Sequence, residues 1–321
     1  VLNFVGAFLS LEVAGTIASD IVDQQAVTTT IVFAGLIGAI VWNLVTWYFG
    51  LPSSSSHALI GGVVGAMLVA EGVGRIHGDG IASKVLVPAL VAPLLAFAAA
   101  GLAIVCCYRI VGKLAPGPVS RGFRLGQVFS GGLLALAHGT NDAQKTMGVI
   151  TLALIASGHL GADAGVPSWV VVSAAAAIAL GTYLGGWRII KTMGSRIIKM
   201  DAAQGFAAQG SGAAVILAAT HFGYPLSTTH TISGAVMGAG AAKRLSAVRW
   251  GVAGSILVAW VLTLPAAAVV GGAVYAITHL FGDGALGPIV VAAAGIAFVA
   301  FMIIRRLQRG AAITTTATEQ A

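Results

Sequence analysis

Three short polar segments carry the chemistry in a chain that is otherwise mostly apolar. Pro52-Ser53-Ser54-Ser55-Ser56-His57 and Pro225-Leu226-Ser227-Thr228-Thr229-His230 place a proline, a run of hydroxyls and a histidine in the same order. The third is His138-Gly139-Thr140-Asn141-Asp142-Ala143-Gln144-Lys145. A hydroxyl at a helix start accepts from free N–H groups. Those N–H groups and the positive end of the helix macrodipole also suit an oxyanion. Ser54, Ser55, Ser56, Ser227, Thr228 and Thr229 are therefore candidate ligands of a tetrahedral anion, against the plainer reading that each only caps its helix. Asn141 and Asp142, with Thr140, offer hard oxygens to a cation, and Gln144 and Lys145 are expected to face the anion. Asp142 and Lys145 are three apart, so a structural ion pair at a break in the span is the alternative. His57, His230 and His138 are candidate proton carriers, since imidazole titrates near neutral pH; a purely structural hydrogen-bonding role competes for each.

The elements that must position these groups are membrane helices. The 321 residues are 58% hydrophobic and 8% charged, against about 25% charged in a soluble domain. Runs such as 85–111 and 289–304 approach the ~20 apolar residues that cross a bilayer. A net charge of +7 does not point to nucleic acid, because the basic residues sit in short loops. Fourteen of the 17 Lys and Arg fall in four clusters: Arg109 to Arg124, Arg188 to Lys199, Lys243 to Arg249, and Arg305 to Arg309. Cytoplasmic loops carry the positive excess, so all four clusters, and the C-terminus, are expected on the inner face. That path leaves Asp20, Asp23, Asp79, Asp163 and Asp283 on outer loops. It also leaves two pairs of apolar runs, 27–70 and 206–240, as re-entrant hairpins entering from opposite faces.

The inversion has a counterpart in sequence. Pro52 and Pro225 stand 173 positions apart, and the match runs on through Gly61 with Gly234 and Gly65 with Gly238. Paired segments at the tips of opposed hairpins mark an inverted-repeat transporter. The expected fold is an all-α membrane protein, an inverted-repeat secondary transporter with two re-entrant helical hairpins and broken transmembrane helices. One break is expected within 137–148. Residues 1–111 form the first repeat, 112–309 the second, and 310–321 a disordered cytoplasmic tail. No metalloprotease, nucleophile-elbow or P-loop motif is present, so no enzyme is expected.

His138-Gly139-Thr140-Asn141-Asp142-Ala143-Gln144 resembles the Gly-Ala-Asn-Asp signature of the inorganic phosphate transporter (PiT) family. The two Pro-(x)-Ser/Thr-Ser/Thr-His segments resemble that family's repeated hairpin motif, and the similarity covers about Leu2 to Ile304. The resemblance implies symport of inorganic phosphate with Na⁺ or H⁺. Asn141, Asp142, Gln144, Ser55, Ser56, Thr228 and Thr229 match the family's binding positions. The family carries its Asn-Asp signature twice, and this chain carries it once. At the repeat offset the second copy would lie upstream of Val1, so the natural protein is expected to extend further N-terminally. A sulfate permease of the same family and a passive anion channel are the alternatives; a buried Asp142 argues against the channel. The expected partners are inorganic phosphate and the lipid bilayer of the cell membrane, crossed several times, with a homodimer left open. No cofactor, metal site or nucleic acid is expected beyond the co-transported ion.

Overall fold

Side-chain caps set where the helices begin. Ser54 and Ser227 accept from the backbone N–H groups of His57 and His230, so α4 (Ser55–Glu71) and α11 (Thr228–Ala241) start alike. Thr28 caps α3 (Thr29–Phe49), and Asp201 with Gln204 forms a reciprocal capping box at α10 (Ala202–His221). The computed structural model describes residues 1–282 and 284–319; beyond Phe301 only Ile304 is described to its side chain. The other helices are α1 (Leu2–Gly6), α2 (Glu12–Ser19), α5 (Gly78–Ile81), α6 (Val87–Val111), α7 (Pro116–Ala156), α8 (Ser168–Leu184), α9 (Trp187–Lys191), α12 (Trp250–His279) and α13 (Leu286–Glu319). Among the described residues there is no strand, only one antiparallel bridge between Val22 and Ile76.

Two helical hairpins organise the molecule. The ends of α3–α4 are tied together by Asp23 and Arg75 at 2.7 Å, and those of α10–α11 by Asp201 and Lys243 at 3.8 Å. Their tips meet: Ser56 Oγ donates to the Leu226 carbonyl at 3.1 Å, and the His57 and His230 rings lie 4.9 Å apart. The hairpins therefore enter from opposite faces. Their second limbs pack crosswise, α4 against α12 and α11 against α6. A Cβ on Gly61 would sit 2.4 Å from the Leu264 carbonyl oxygen, and one on Gly234 2.2 Å from that of Pro93. One turn later, Gly65 and Gly238 meet Ala268 and Phe97 at 1.9 and 2.0 Å by the same measure. Only glycine permits such close backbone approach.

Three of the four basic clusters lie near one another. Tyr108 donates to Asp201, which also meets Lys243, and Arg249 reaches the carbonyls of Ser195 and Arg196. The opposite face gathers the 20–28 and 72–82 loops through the Asp23–Arg75 pair and the bridge at Val22. Asp283 lies outside the described residues, as do the side chains of Arg305, Arg306 and Arg309. Stretches 29–49, 78–111 and 250–279 are long and apolar enough to cross a bilayer, and α8 with α9 makes a fourth, bent by 64°.

One expectation is corrected here. The polar segment 137–148 does not break its helix: α7 runs unbroken for 41 residues, because its polar side chains find partners on other elements and its backbone ladder never opens. Breaks occur instead between α1 and α2, at residues 7–11, and at Gly185–Gly186 between α8 and α9. Helical backbone also continues through 310–319. Good helix formers such as Ala311 and Ala312 extend α13 at little local cost. Gln320 and Ala321 lie outside the described residues.

Candidate functional site

At mid-length of α7, a carboxylate and an ammonium point into the place where the hairpin tips meet. Lys145 Nζ is held by three oxygens: Asp142 Oδ1 at 2.5 Å, Ser56 Oγ at 2.6 Å and the Leu226 carbonyl at 2.5 Å. These come from α7, the first hairpin and the second. Lys145 is 3% exposed, a depth at which a lysine is found only when paired. Asp142 spends its other oxygen on Thr228 Oγ1 at 3.0 Å and His138 Nε2 at 3.1 Å. His138 Nδ1 in turn lies 2.8 Å from Asn3 Oδ1.

The six hydroxyls expected to form one cradle divide three ways. Ser54 and Ser227 are buried caps. Ser56 and Thr228 engage Lys145 and Asp142. Ser55 and Thr229 line a cavity of about 150 Å³ together with Asn43, Thr46, Trp47, Ser53 and Ile189. That is room for a few waters or one tetrahedral oxyanion.

Two residues expected at the anion turn elsewhere. Gln144 is fully buried; its Oε1 accepts from the N–H groups of Val13 and Ala14, and its Nε2 donates to the Thr140 carbonyl. It thus caps α2, which has no side-chain cap of its own. Lys145 faces Asp142, whose full charge outweighs any polar group within reach. Thr140, expected to bind a cation, donates to the Leu136 carbonyl within its own helix. Asn141 keeps the open valence: its Nδ2 donates to Thr220 Oγ1 and the Tyr224 carbonyl, while its buried Oδ1 has no hydrogen-bond partner among the described residues. His57 and His230 sit buried at the meeting of the tips, and His230 stacks on Trp260 with ring centroids 3.9 Å apart.

Several participants were not singled out from sequence. Trp260 donates to the Pro52 carbonyl and so braces the first tip from the other repeat. Asn3 bonds both His138 and Thr182; a lone amide in an apolar run was the available signal. The Leu226 carbonyl leaves no trace in side-chain identity. It takes the place in the second segment that a hydroxyl residue, Ser53, takes in the first.

The phosphate transporter family model (PHO4) matches residues 1–271. The chain belongs to the phosphate transporter family. It is 54% identical over 283 residues to a probable low-affinity inorganic phosphate transporter of Mycobacterium tuberculosis, covering 88% of this chain and 68% of that protein. A Bacillus subtilis protein of the same description is 41% identical over 87% of this chain and 84% of its own length. Among solved structures, one titled the sodium-dependent phosphate transporter matches with a TM-score of 0.75. It covers 87% of this chain and 88% of that one at 24% identity, a likeness of fold alone. Members of this family are transporters and not enzymes, in keeping with the motifs above.

Proposed function

We propose that this protein carries inorganic phosphate across the cell membrane in symport with a monovalent cation, H⁺ or Na⁺. The carrying observation is the pair of hydroxyl-capped helix starts, α4 and α11, brought tip to tip beside the Asp142–Lys145 pair. In this reading phosphate enters the cavity at Ser53, Ser55 and Thr229, where hydroxyls and free N–H groups take up its charge. The relatives' descriptions, which name inorganic phosphate, support the choice of anion. Were the co-transported ion Na⁺, the buried Asn141 Oδ1, which has no partner among the described residues, would be a hard oxygen available to it. The face that gathers the basic clusters is taken as cytoplasmic, with the C-terminus on that side.

The test is uptake of radiolabelled phosphate into proteoliposomes, with a Na⁺ gradient and a pH gradient imposed separately and sulfate as competitor. Concentrative uptake under either gradient, not blocked by equimolar sulfate, is expected. Uptake that merely equilibrates under both would leave a passive channel, and loss to sulfate would reassign the anion.

A further inference from the structure

We infer that Lys145 is a tethered cation: its ammonium occupies an oxygen cage that would otherwise take a metal cation, so that phosphate transport by this chain does not require Na⁺. The inference deepens the symport reading above and rests on it. The donor set carries the argument. A carboxylate, a hydroxyl and a backbone carbonyl converge on one point at 2.5 to 2.6 Å from three separate elements. Those three oxygen types are the ligands that hard cations take. A lysine that served only to neutralise Asp142 needs one partner, and a mere helix-face pair would not recruit the Leu226 carbonyl. Here the ammonium spends its three donors on three oxygens, which satisfies it completely.

The electrical consequence is direct. Asp142 is the carboxylate that reaches this point, and its Oδ1 is committed to Lys145. A mobile Na⁺ entering the same cage would meet the ammonium at contact distance in a setting that screens charge poorly. The positive charge in the cage is therefore carried on a side chain. The tether also ties the second hairpin's loop to the start of the first hairpin's second limb. A protein lacking this lysine would keep the oxygens and need a free cation to fill them.

The experiment measures Na⁺ dependence in the purified protein and in Lys145→Gln. Wild-type phosphate uptake and phosphate exchange in proteoliposomes should differ less than about twofold between Na⁺ and choline media. Lys145→Gln should gain a Na⁺ requirement, and Na⁺ but not choline should raise its melting temperature, since a ligand that binds only the folded state stabilises it. Lys145→Arg, which keeps the charge, should show no Na⁺-specific stabilisation. The melting readout contains no phosphate, so it separates this inference from the phosphate reading. A Na⁺ requirement in the wild type overturns the inference. So does a Lys145→Gln protein that melts cooperatively at the same temperature in both salts. Should Lys145→Gln fail to fold in choline, recovery of folded protein in Na⁺ supports the inference, and failure in both salts overturns it.

Discussion

The two hairpin tips share a sequence pattern and a cap, yet they end in different surroundings. At the second tip, Thr228 bonds Asp142 and the Leu226 carbonyl accepts from Lys145. At the equivalent positions of the first, Ser55 is exposed to the cavity, and the Ser53 hydroxyl pairs with Thr46 at 2.7 Å. Ser56 and its mate Thr229 divide the same way, one bonded to the ammonium and the other lining the cavity. Local sequence therefore decides the cap, whereas tertiary neighbours decide whether the remaining hydroxyls are spent. One side of the pseudo-symmetric centre is closed by the protein's own charges. The other is left open to a ligand.

Removing the charge that closes one side should have the largest effect. Asp142→Asn is expected to abolish coupled phosphate uptake while leaving protein in the membrane. It strands Lys145 in a buried site, and loss of one partner from such a pair costs about 3–5 kcal/mol. Adding Lys145→Met should recover much of the melting temperature but none of the transport. A single variant that transports at wild-type rate would break the comparison, because the closed side would then be dispensable.

The next effect separates the tips directly. Thr228→Ala deletes a hydrogen bond to a charged group, worth about 1.5–3 kcal/mol, so both stability and phosphate binding should fall. Ser55→Ala deletes no hydrogen bond within the protein, so melting should hold while binding weakens. Ser53→Ala should weaken binding less than either. Isothermal titration with phosphate beside thermal melts of all three reads the difference; equal losses of melting temperature at Thr228 and Ser55 would erase it.

Below the tips the hairpins should behave alike. Gly61→Ala and Gly234→Ala each push a methyl against a backbone carbonyl of the other repeat, and overpacking of this kind costs about 1–3 kcal/mol. Losses matching within a factor of two would show that the repeats differ only at their tips. Gly74→Ala, where nothing lies within 4 Å, is the neutral control.

These pairs also mark what the sequence made legible. The two hairpins were readable, because proline, hydroxyl, histidine and glycine recur 173 positions apart, and their opposed entry from the placement of the basic clusters; the crosswise packing of their second limbs was not. Pairing of Asp142 with Lys145 was readable as one of two alternatives from helical spacing. The unbroken α7 was not. A polar run inside an apolar span looks like a break until its partners are known, and Val13, Ser56 and Leu226 lie far away in sequence. The cap that Gln144 places on α2 was hidden for the same reason: a buried amide near an anion motif and an amide capping a distant helix read identically from one chain position.

The smallest effect belongs to the open ends of the hairpins, where the comparison turns on two surface ion pairs. Asp23 accepts from the Gln25 backbone N–H and from Arg75, and these hold its carboxyl below the usual carboxylate range. A folded-state value below the unfolded one means that the carboxylate stabilises the fold above the unfolded value, and that this help fades as pH falls through it. The window therefore lies at and below about pH 4, where an ordinary aspartate takes up its proton. Asp201 meets Lys243 at 3.8 Å, near the limit of an ion pair, although it also closes the capping box of α10. Lys243→Ala should then leave melting unchanged at every pH, since loosely held exposed pairs contribute little. Asp23→Asn should lower the melting temperature slightly at pH 7, and the gap from wild type should close on acidification. A gap that widens in acid would mean that the clamp on the first hairpin is not the ionised carboxylate. Equal sensitivity of the two clamps to 1 M NaCl, which shortens the screening length to about 3 Å, would remove the last asymmetry between the hairpins outside their tips.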